Sequence, residues 1–224
     1  MGEPSFAAVQ ARAALSAGTS AAPIYATVRR ALRANAVHGG LLVDIGAGTG
    51  RLWSVVRDLF ADYCGVDAVR YPAFPDACRF VEADVGARLP LPDGCAAVAA
   101  AVEVIEHVEN PRALVRELTR ICAPGGWIVA TTPNQLSWLS LGTLLLKQRF
   151  SAFQDVHYPA HLSALLEVDL LRIAGECGLE SAQTSFSETG RMPGTARHWP
   201  AVLCRQFPRA LSETVLLLAR KPAA

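Results

Sequence analysis

Charge is scarce in this 224-residue sequence, and what there is cancels. Lys plus Arg number 21 against 20 Asp plus Glu. Charged residues make up 18% of the chain, against about 25% in typical domains. A balance of +1 supplies no strong field, so nucleic acid is not an expected partner. Cysteine pairs at metal or redox spacing are missing as well. The six cysteines, at 64, 78, 95, 122, 177 and 204, include no Cys-x-x-Cys, and most lie in apolar runs such as Tyr63-Cys64-Gly65-Val66. They read as small buried hydrophobes of a reducing compartment and not as a zinc cage. Long apolar runs are absent. The longest candidate, residues 136–146, is too short to span a bilayer core of roughly 30 Å and contains Ser137, Ser140 and Thr143. The first residues show no basic stretch followed by an apolar one, so the expected location is cytoplasmic. Hydrophobic residues make up 51% of the chain, which excludes global disorder. A chain of this length hides about 70% of its surface on folding, ample for a core without disulfides or metal.

Residues 5–17 and 23–36 read as two helices rich in Ala, Leu, Val and Arg, with Pro4 and Pro23 at their starts. They make residues 1–38 an N-terminal helical segment, followed by one domain over 39–224. From residue 41 short apolar runs alternate with longer amphipathic segments, the texture of β-α units on a parallel sheet. Strands are expected at 41–45, 63–66, 79–82, 96–102 and 127–131, with helices at 51–61 and 111–122. Asn110 caps the second helix ahead of Pro111. An irregular stretch at 133–160 follows, then a helix at 163–177 stopped by Gly178, a strand at 179–187, a loop at 188–200 and a last strand at 212–220.

Three features carry candidate chemistry. Leu41-Leu42-Val43-Asp44-Ile45 runs into Gly46-Ala47-Gly48-Thr49-Gly50 and then a helix. Glycines let the backbone turn sharply and approach a ligand with no Cβ in the way, and ligands of open α/β sheets bind at the carboxyl ends of strands. Asp67 stands at the tip of the next strand, where a carboxylate can accept from both hydroxyls of a ribose. Asp84 follows Phe80-Val81-Glu82-Ala83 at a third tip, suited to an adenine amine. Each alone has a plain structural reading as a turn, a cap or a solvated loop; the series of them is what points to a ligand.

At this point the sequence resembles the class I S-adenosylmethionine (SAM)-dependent methyltransferases, over residues 40–220. The resemblance extends through Leu89-Pro90-Leu91-Pro92-Asp93-Gly94 and Ala123-Pro124-Gly125-Gly126-Trp127. The run Glu103-Val104-Ile105-Glu106-His107-Val108 and Thr131-Thr132-Pro133-Asn134 make it most similar to the branch containing ubiquinone-biosynthesis O-methyltransferases. The resemblance implies a Rossmann-like α/β sheet of seven strands, order 3-2-1-4-5-7-6 with the last strand antiparallel, flanked by helices. It implies a cofactor site of Asp44, Gly46, Ala47, Gly48, Gly50, Asp67, Asp84, Val85 and Val102. The turn would hold the methionine part, Asp67 the ribose, and Asp84 and Val85 the adenine.

Glu103, Glu106 and His107, with His157 and His161 some fifty residues on, admit three readings. They shape a loop; or His107 or His161 serves as a general base; or Glu103, Glu106, His107 and His161 ligate a divalent metal, since Glu-x-x-Glu-His resembles the spacing in metal-dependent methyltransferases of the ubiquinone and small-RNA end-modifying families. The metal-free form is the expectation, with His107 and His161 as the catalytic candidates. Residues 135–150 are apolar over much of their length, a lid on the sheet or a surface for peripheral membrane contact through Lys147 and Arg149. Trp199 and the 188–200 loop are expected to finish a substrate pocket. The function that follows is methyl transfer from SAM to a small-molecule acceptor, by an oxygen nucleophile. The alternatives are a non-catalytic SAM-binding or partner subunit, and a metal-dependent enzyme acting on a lipid-like or RNA-end hydroxyl.

Overall fold

The structure, a computed structural model, describes residues 6–14, 16 and 18–223. Seven strands form one sheet: β1 (Leu41–Ile45), β2 (Asp62–Asp67), β3 (Arg79–Glu82), β4 (Ala96–Val102), β5 (Cys122–Pro133), β6 (Glu180–Phe186) and β7 (Thr214–Arg220). Their order is β3-β2-β1-β4-β5-β7-β6. β1 to β5 pair in parallel, and β7 runs antiparallel to both β5 and β6. Fold class, strand order and antiparallel last strand are as the sequence implies.

Period-2 alternation divides the core between the two faces of the sheet. Val43, Ile45, Ala99, Ala101, Leu217 and Ala219 face one cluster, which includes Leu114 and Leu118 of α4 (Pro111–Ile121) and Leu170 and Ile173 of α6 (Glu167–Glu176). Leu42, Val98, Ala100, Leu216 and Leu218 face the other, with Val28 and Leu32 of α2 (Ala22–Ala34) and Leu52 and Val56 of α3 (Arg51–Val56). Because both faces are covered, polar side chains have room only at the strand ends. Asp44 shares the parity of Leu42 and so points to the α2/α3 face at the tip of β1.

The first expected helix appears as α1 (Phe6–Ala14); positions 5, 15 and 17 lie outside the described residues. The helix expected at 51–61 ends at Val56. The stretch expected to be irregular contains α5 (Trp138–Lys147), capped by the Ser137 hydroxyl, which accepts from the Ser140 N–H at 3.2 Å. Six of its ten residues are Trp or Leu, so no narrow apolar stripe stands out in the sequence. Two short helices, α7 (Ala201–Gln206) and α8 (Pro208–Leu211), follow the 188–200 loop. No helix among the described residues is long and apolar enough to cross a membrane.

Asn110 caps α4 as expected, its Oδ1 accepting from the Ala113 N–H at 3.0 Å. Asn110→Ala leaves that donor without the side-chain acceptor and should lower stability by about 1 kcal/mol in a denaturant titration.

Candidate active site

A cavity of about 830 Å³ opens at the carboxyl ends of β1, β2 and β4. This lies within the roughly 300–1,000 Å³ of small-molecule sites. Six acidic residues line it: Asp44, Asp67, Asp84, Glu103, Glu106 and Glu109. Among the described residues no Lys or Arg does. An acidic cavity suits a cationic ligand.

The glycine turn forms the floor. Its first two N–H groups, of Gly46 and Ala47, donate to the Val66 carbonyl at 2.8 and 3.1 Å, anchoring it to β2. Gly46 has φ +71°, and a Cβ there would come 2.3 Å from Val104 Cγ2. Gly48 has φ +52°, and its absent Cβ makes room for the Gly18 carbonyl oxygen, which would lie 2.0 Å away. That carbonyl accepts from the Thr49 N–H at 2.7 Å. At Gly48, then, it is the N-terminal segment of this chain that approaches the turn. Gly46 and Ala47 line the cavity, while Gly48 and Gly50 lie behind it.

Asp67 is 8% exposed and tied to that turn. Its Oδ2 accepts from the Gly48 N–H at 2.8 Å, and its Oδ1 from the Ala68 N–H at 2.7 Å. Burial raises its pKa, and the backbone N–H groups of Gly48, Val69 and Ala68 oppose the rise. An ionised carboxylate has about four acceptor sites, so capacity for ligand hydroxyls remains. Asp84 is half-buried, its Oδ1 held by the Gly86 N–H at 2.8 Å; Val85 and Gly86 line the cavity beside it. Asp44 is 2% exposed, and the Tyr63 hydroxyl donates to its Oδ2 at 2.8 Å. Burial pushes the Asp44 carboxyl up to about 7, against the Tyr63 hydrogen bond and with a contribution from the charge of Asp67. Leu42 pairs with Tyr63 and Asp44 with Gly65 across β1 and β2, so the Asp44–Tyr63 contact is a diagonal one on the same face.

Beyond Val102, Glu103 adopts φ +55°, a left-handed conformation that costs a residue other than glycine about 1 kcal/mol or more. Thr131 of β5 holds it from both ends. The Glu103 N–H donates to Thr131 Oγ1, and the Thr131 hydroxyl donates to Glu103 Oε1, both at 2.9 Å. Burial raises Glu103 to about 7, opposed by the Thr131 hydrogen bond. Glu106 is 1% exposed, and neither carboxylate oxygen has a hydrogen-bond partner among the described residues. Burial and the charge of Glu103 hold its pKa well above the ordinary value.

His107 and His161 meet edge to face, ring centroids 4.7 Å apart. His107 Nδ1 lies 2.9 Å from the Ala160 carbonyl oxygen, and His161 Nδ1 lies 2.6 Å from that of Ala152. A carbonyl only accepts, so each Nδ1 carries the proton. His107 Nε2 is 4.0 Å from Glu106 Oε1. Burial lowers the pKa of His161, with the neighbouring His157 adding to the effect. Glu106, His107 and His161 offer ligand atoms all within 4.8 Å of one another. Glu103 lies outside that group, engaged with Thr131.

The cavity therefore brings together Asp44, Gly46, Ala47, Asp67, Asp84, Val85, Val102, His107 and His161. Sequence reasoning missed Tyr63, Thr131 and the contribution of the N-terminal helices, whose Ile24 and Tyr25 line the cavity. Neither residues 135–150 nor the 188–200 loop reaches it; Trp199 packs on Trp138 instead, ring centroids 6.1 Å apart.

Residues 21–184 match the family described as Methyltransferase domain, and the chain belongs to that family. A "probable S-adenosylmethionine-dependent methyltransferase" of Mycolicibacterium smegmatis is 26% identical over 179 residues, 77% of this chain and 65% of that relative. A ubiquinone biosynthesis O-methyltransferase of Albidiferax ferrireducens is 29% identical over 109 residues, 44% of this chain and 43% of its own. The chain thus spans less than two thirds of either relative. Among solved structures, a SAM-dependent methyltransferase from Archaeoglobus fulgidus superimposes with TM-score 0.63 at 17% identity, covering 88% of this chain and 94% of its own. A SAM-dependent methyltransferase from Thermotoga maritima, described as a possible histamine N-methyltransferase, gives TM-score 0.64 at 19% identity, covering 88% of each chain. Family and fold imply SAM as the cofactor. The acidic cavity fits a cationic sulfonium nucleoside.

Loss of Asp67 removes a charged acceptor, at about 1.5–3 kcal/mol per bond. Asp67→Ala should weaken SAM binding at least tenfold by calorimetry and Asp84→Ala less; the reverse ranking would reassign the two. A second expectation concerns pH. Glu106 stays protonated in the fold where the unfolded chain, with a value near 4.5, has already ionised. Its contribution to stability is intact below that value and is lost as pH climbs towards the raised native one. The melting temperature of Glu106→Gln relative to the parent should therefore rise from pH 5 to pH 8 in the ligand-free protein. A difference independent of pH would show that Glu106 is not held neutral.

Proposed function

We propose that this chain is a SAM-dependent methyltransferase acting on a small-molecule acceptor through an oxygen nucleophile. The observation that carries the oxygen reading is the orientation of His107 and His161, whose Nδ1 atoms face backbone carbonyls in the same cavity as Asp67 and Asp84. Bound SAM supplies an electrophilic methyl group for in-line displacement. The protein's part is to bind, orient and deprotonate. Asp67 accepts from the ribose hydroxyls, Asp84 and Val85 border the adenine, and the turn at Gly46 and Ala47 cradles the methionine part. An acceptor hydroxyl placed beside Val102 gives its proton to Nε2 of His107 or His161, while the carbonyl of Ala160 or Ala152 keeps that ring in the required tautomer.

One observation favours a second reading. Glu106 is buried without a hydrogen-bond partner among the described residues, and its carboxylate lies with His107 and His161 in a group whose ligand atoms are all within 4.8 Å, a donor set that suits a divalent cation. Glu106, His107 and His161 would hold the ion, which would lower the pKa of an acceptor hydroxyl. A non-catalytic SAM-binding subunit is the reading from another class, and methyl transfer to a panel of hydroxyl, amine and carbon acceptors separates it from an enzyme.

With an acceptor in hand, activity should survive chelation. It should fall by about 10²–10⁴-fold when the histidine acting as base, His107 or His161, is replaced by Ala. Activity abolished by chelation, restored by one divalent ion and lost in His161→Ala would replace the base with the metal. Transfer confined to amine or carbon acceptors would overturn the oxygen assignment.

A further inference from the structure

We propose that α5 and the segment carrying α7 and α8 form one docking surface for an anionic lipid membrane. The proposal goes beyond the catalytic reading and does not rest on it.

The helix α5 is apolar yet scarcely buried. Six of its ten residues are Trp or Leu, and Ser140 is its one buried residue. Leu145 and Leu146 are 84% and 87% exposed. A helix of a soluble domain normally turns its apolar stripe to the core. A second exposed apolar element adjoins it: Trp138 packs edge to face on Trp199, and α8 packs against α5. Val202 of α7 is 71% exposed, and Phe207, between α7 and α8, is 53% exposed. Scattered exposed hydrophobics need no explanation, but contiguous ones from two elements mark an interaction site.

Charge identifies what covers them. The chain as a whole is balanced, but residues 135–150 carry Lys147 and Arg149 and no acidic residue. Residues 189–211 carry four arginines, at 191, 197, 205 and 209. Arg191, Arg205 and Arg209 pair with Glu213, Glu188 and Glu167, as Arg149 does with Asp155, so the cations available to a partner are Lys147 on one element and Arg197 on the other. Lys147 and Arg197 form no ion pair among the described residues. Leu and Trp bordered by Lys and Arg match the interface of an anionic bilayer, where tryptophan rings and cations sit at head-group level. A second copy fits less well. A two-fold interface sets the same patch against itself and would oppose cation to cation. At ten residues, α5 is about 15 Å long, half of what a span requires, so it lies in the interface.

The surface leads to the cavity. Arg149 pairs with Asp155 at 2.6 Å and so joins the end of α5 to the turn at Asp155–His157. Val156 and Tyr158, 86% and 74% exposed, line the cavity mouth from that turn.

Flotation with vesicles tests the proposal on the full chain. The parent should partition onto vesicles of phosphatidylcholine with about one-third phosphatidylglycerol, far less onto phosphatidylcholine alone, and should be released by salt. Leu145→Ser combined with Leu146→Ser should weaken partition at least tenfold. Lys147→Ala should weaken it about fivefold. Leu171→Ser, an exposed apolar position on α6, should leave it unchanged. Circular dichroism melts confirm that each variant is folded, and the Lys147 arm stands if the double variant is not. No partition, equal partition onto both vesicle types, or an equal loss in Leu171→Ser would overturn the proposal. So would patch variants that alter only concentration-dependent self-association in light scattering.

Discussion

The hydrogen bond from the Gly48 N–H to Asp67 Oδ2 joins the ends of β1 and β2, and the geometry of the cavity depends on it. Without a fixed partner the glycine turn would have many conformations open to it. With Asp67 as anchor, and Val66 accepting from Gly46 and Ala47, the turn has one. The same carboxylate that stabilises the turn is the one proposed to read a ribose. Its structural and ligand-binding roles therefore cannot be varied separately by substitution, and Asp67→Asn, which keeps one carbonyl oxygen, is the gentler probe.

The opposite wall is built on conflict. Asp44, Glu103 and Glu106 are carboxyls with raised pKa in one cavity, and Glu103 is also held in a left-handed backbone conformation. Burial of acids costs free energy, and strain at a residue other than glycine adds to it. Tyr63 and Thr131 offset part of this with single hydroxyl donors. A ligand that brings positive charge would offset more, so affinity for cations is linked to the instability of the ligand-free site.

The features that were legible in the sequence are those encoded locally. The strand, glycine turn and helix at 41–56 lie within sixteen consecutive residues, and Asp67 and Asp84 sit at the ends of short apolar runs. Asn110 announces itself as a cap by standing before Pro111. What was hidden depends on contacts across the chain. Thr131 and Glu103 are 28 residues apart, and nothing local to either suggests that they exchange hydrogen bonds. Gly18 crosses Gly48 from a segment that reads only as a break between helices. The alternatives for Glu103, Glu106, His107 and His161 could be narrowed only by seeing Glu103 turned to Thr131 while the other three converge. α5 escaped because six of its ten residues are Trp or Leu, so no narrow apolar stripe marks it as a helix.

The acidic lining of the cavity bears on turnover. A sulfonium ligand carries a positive charge that its demethylated thioether product lacks, while the ionised carboxylates around it remain. The attraction that holds the donor weakens at the moment the methyl group leaves. A lining of this kind would favour a charged donor over its neutral product without any contact to the methyl group itself.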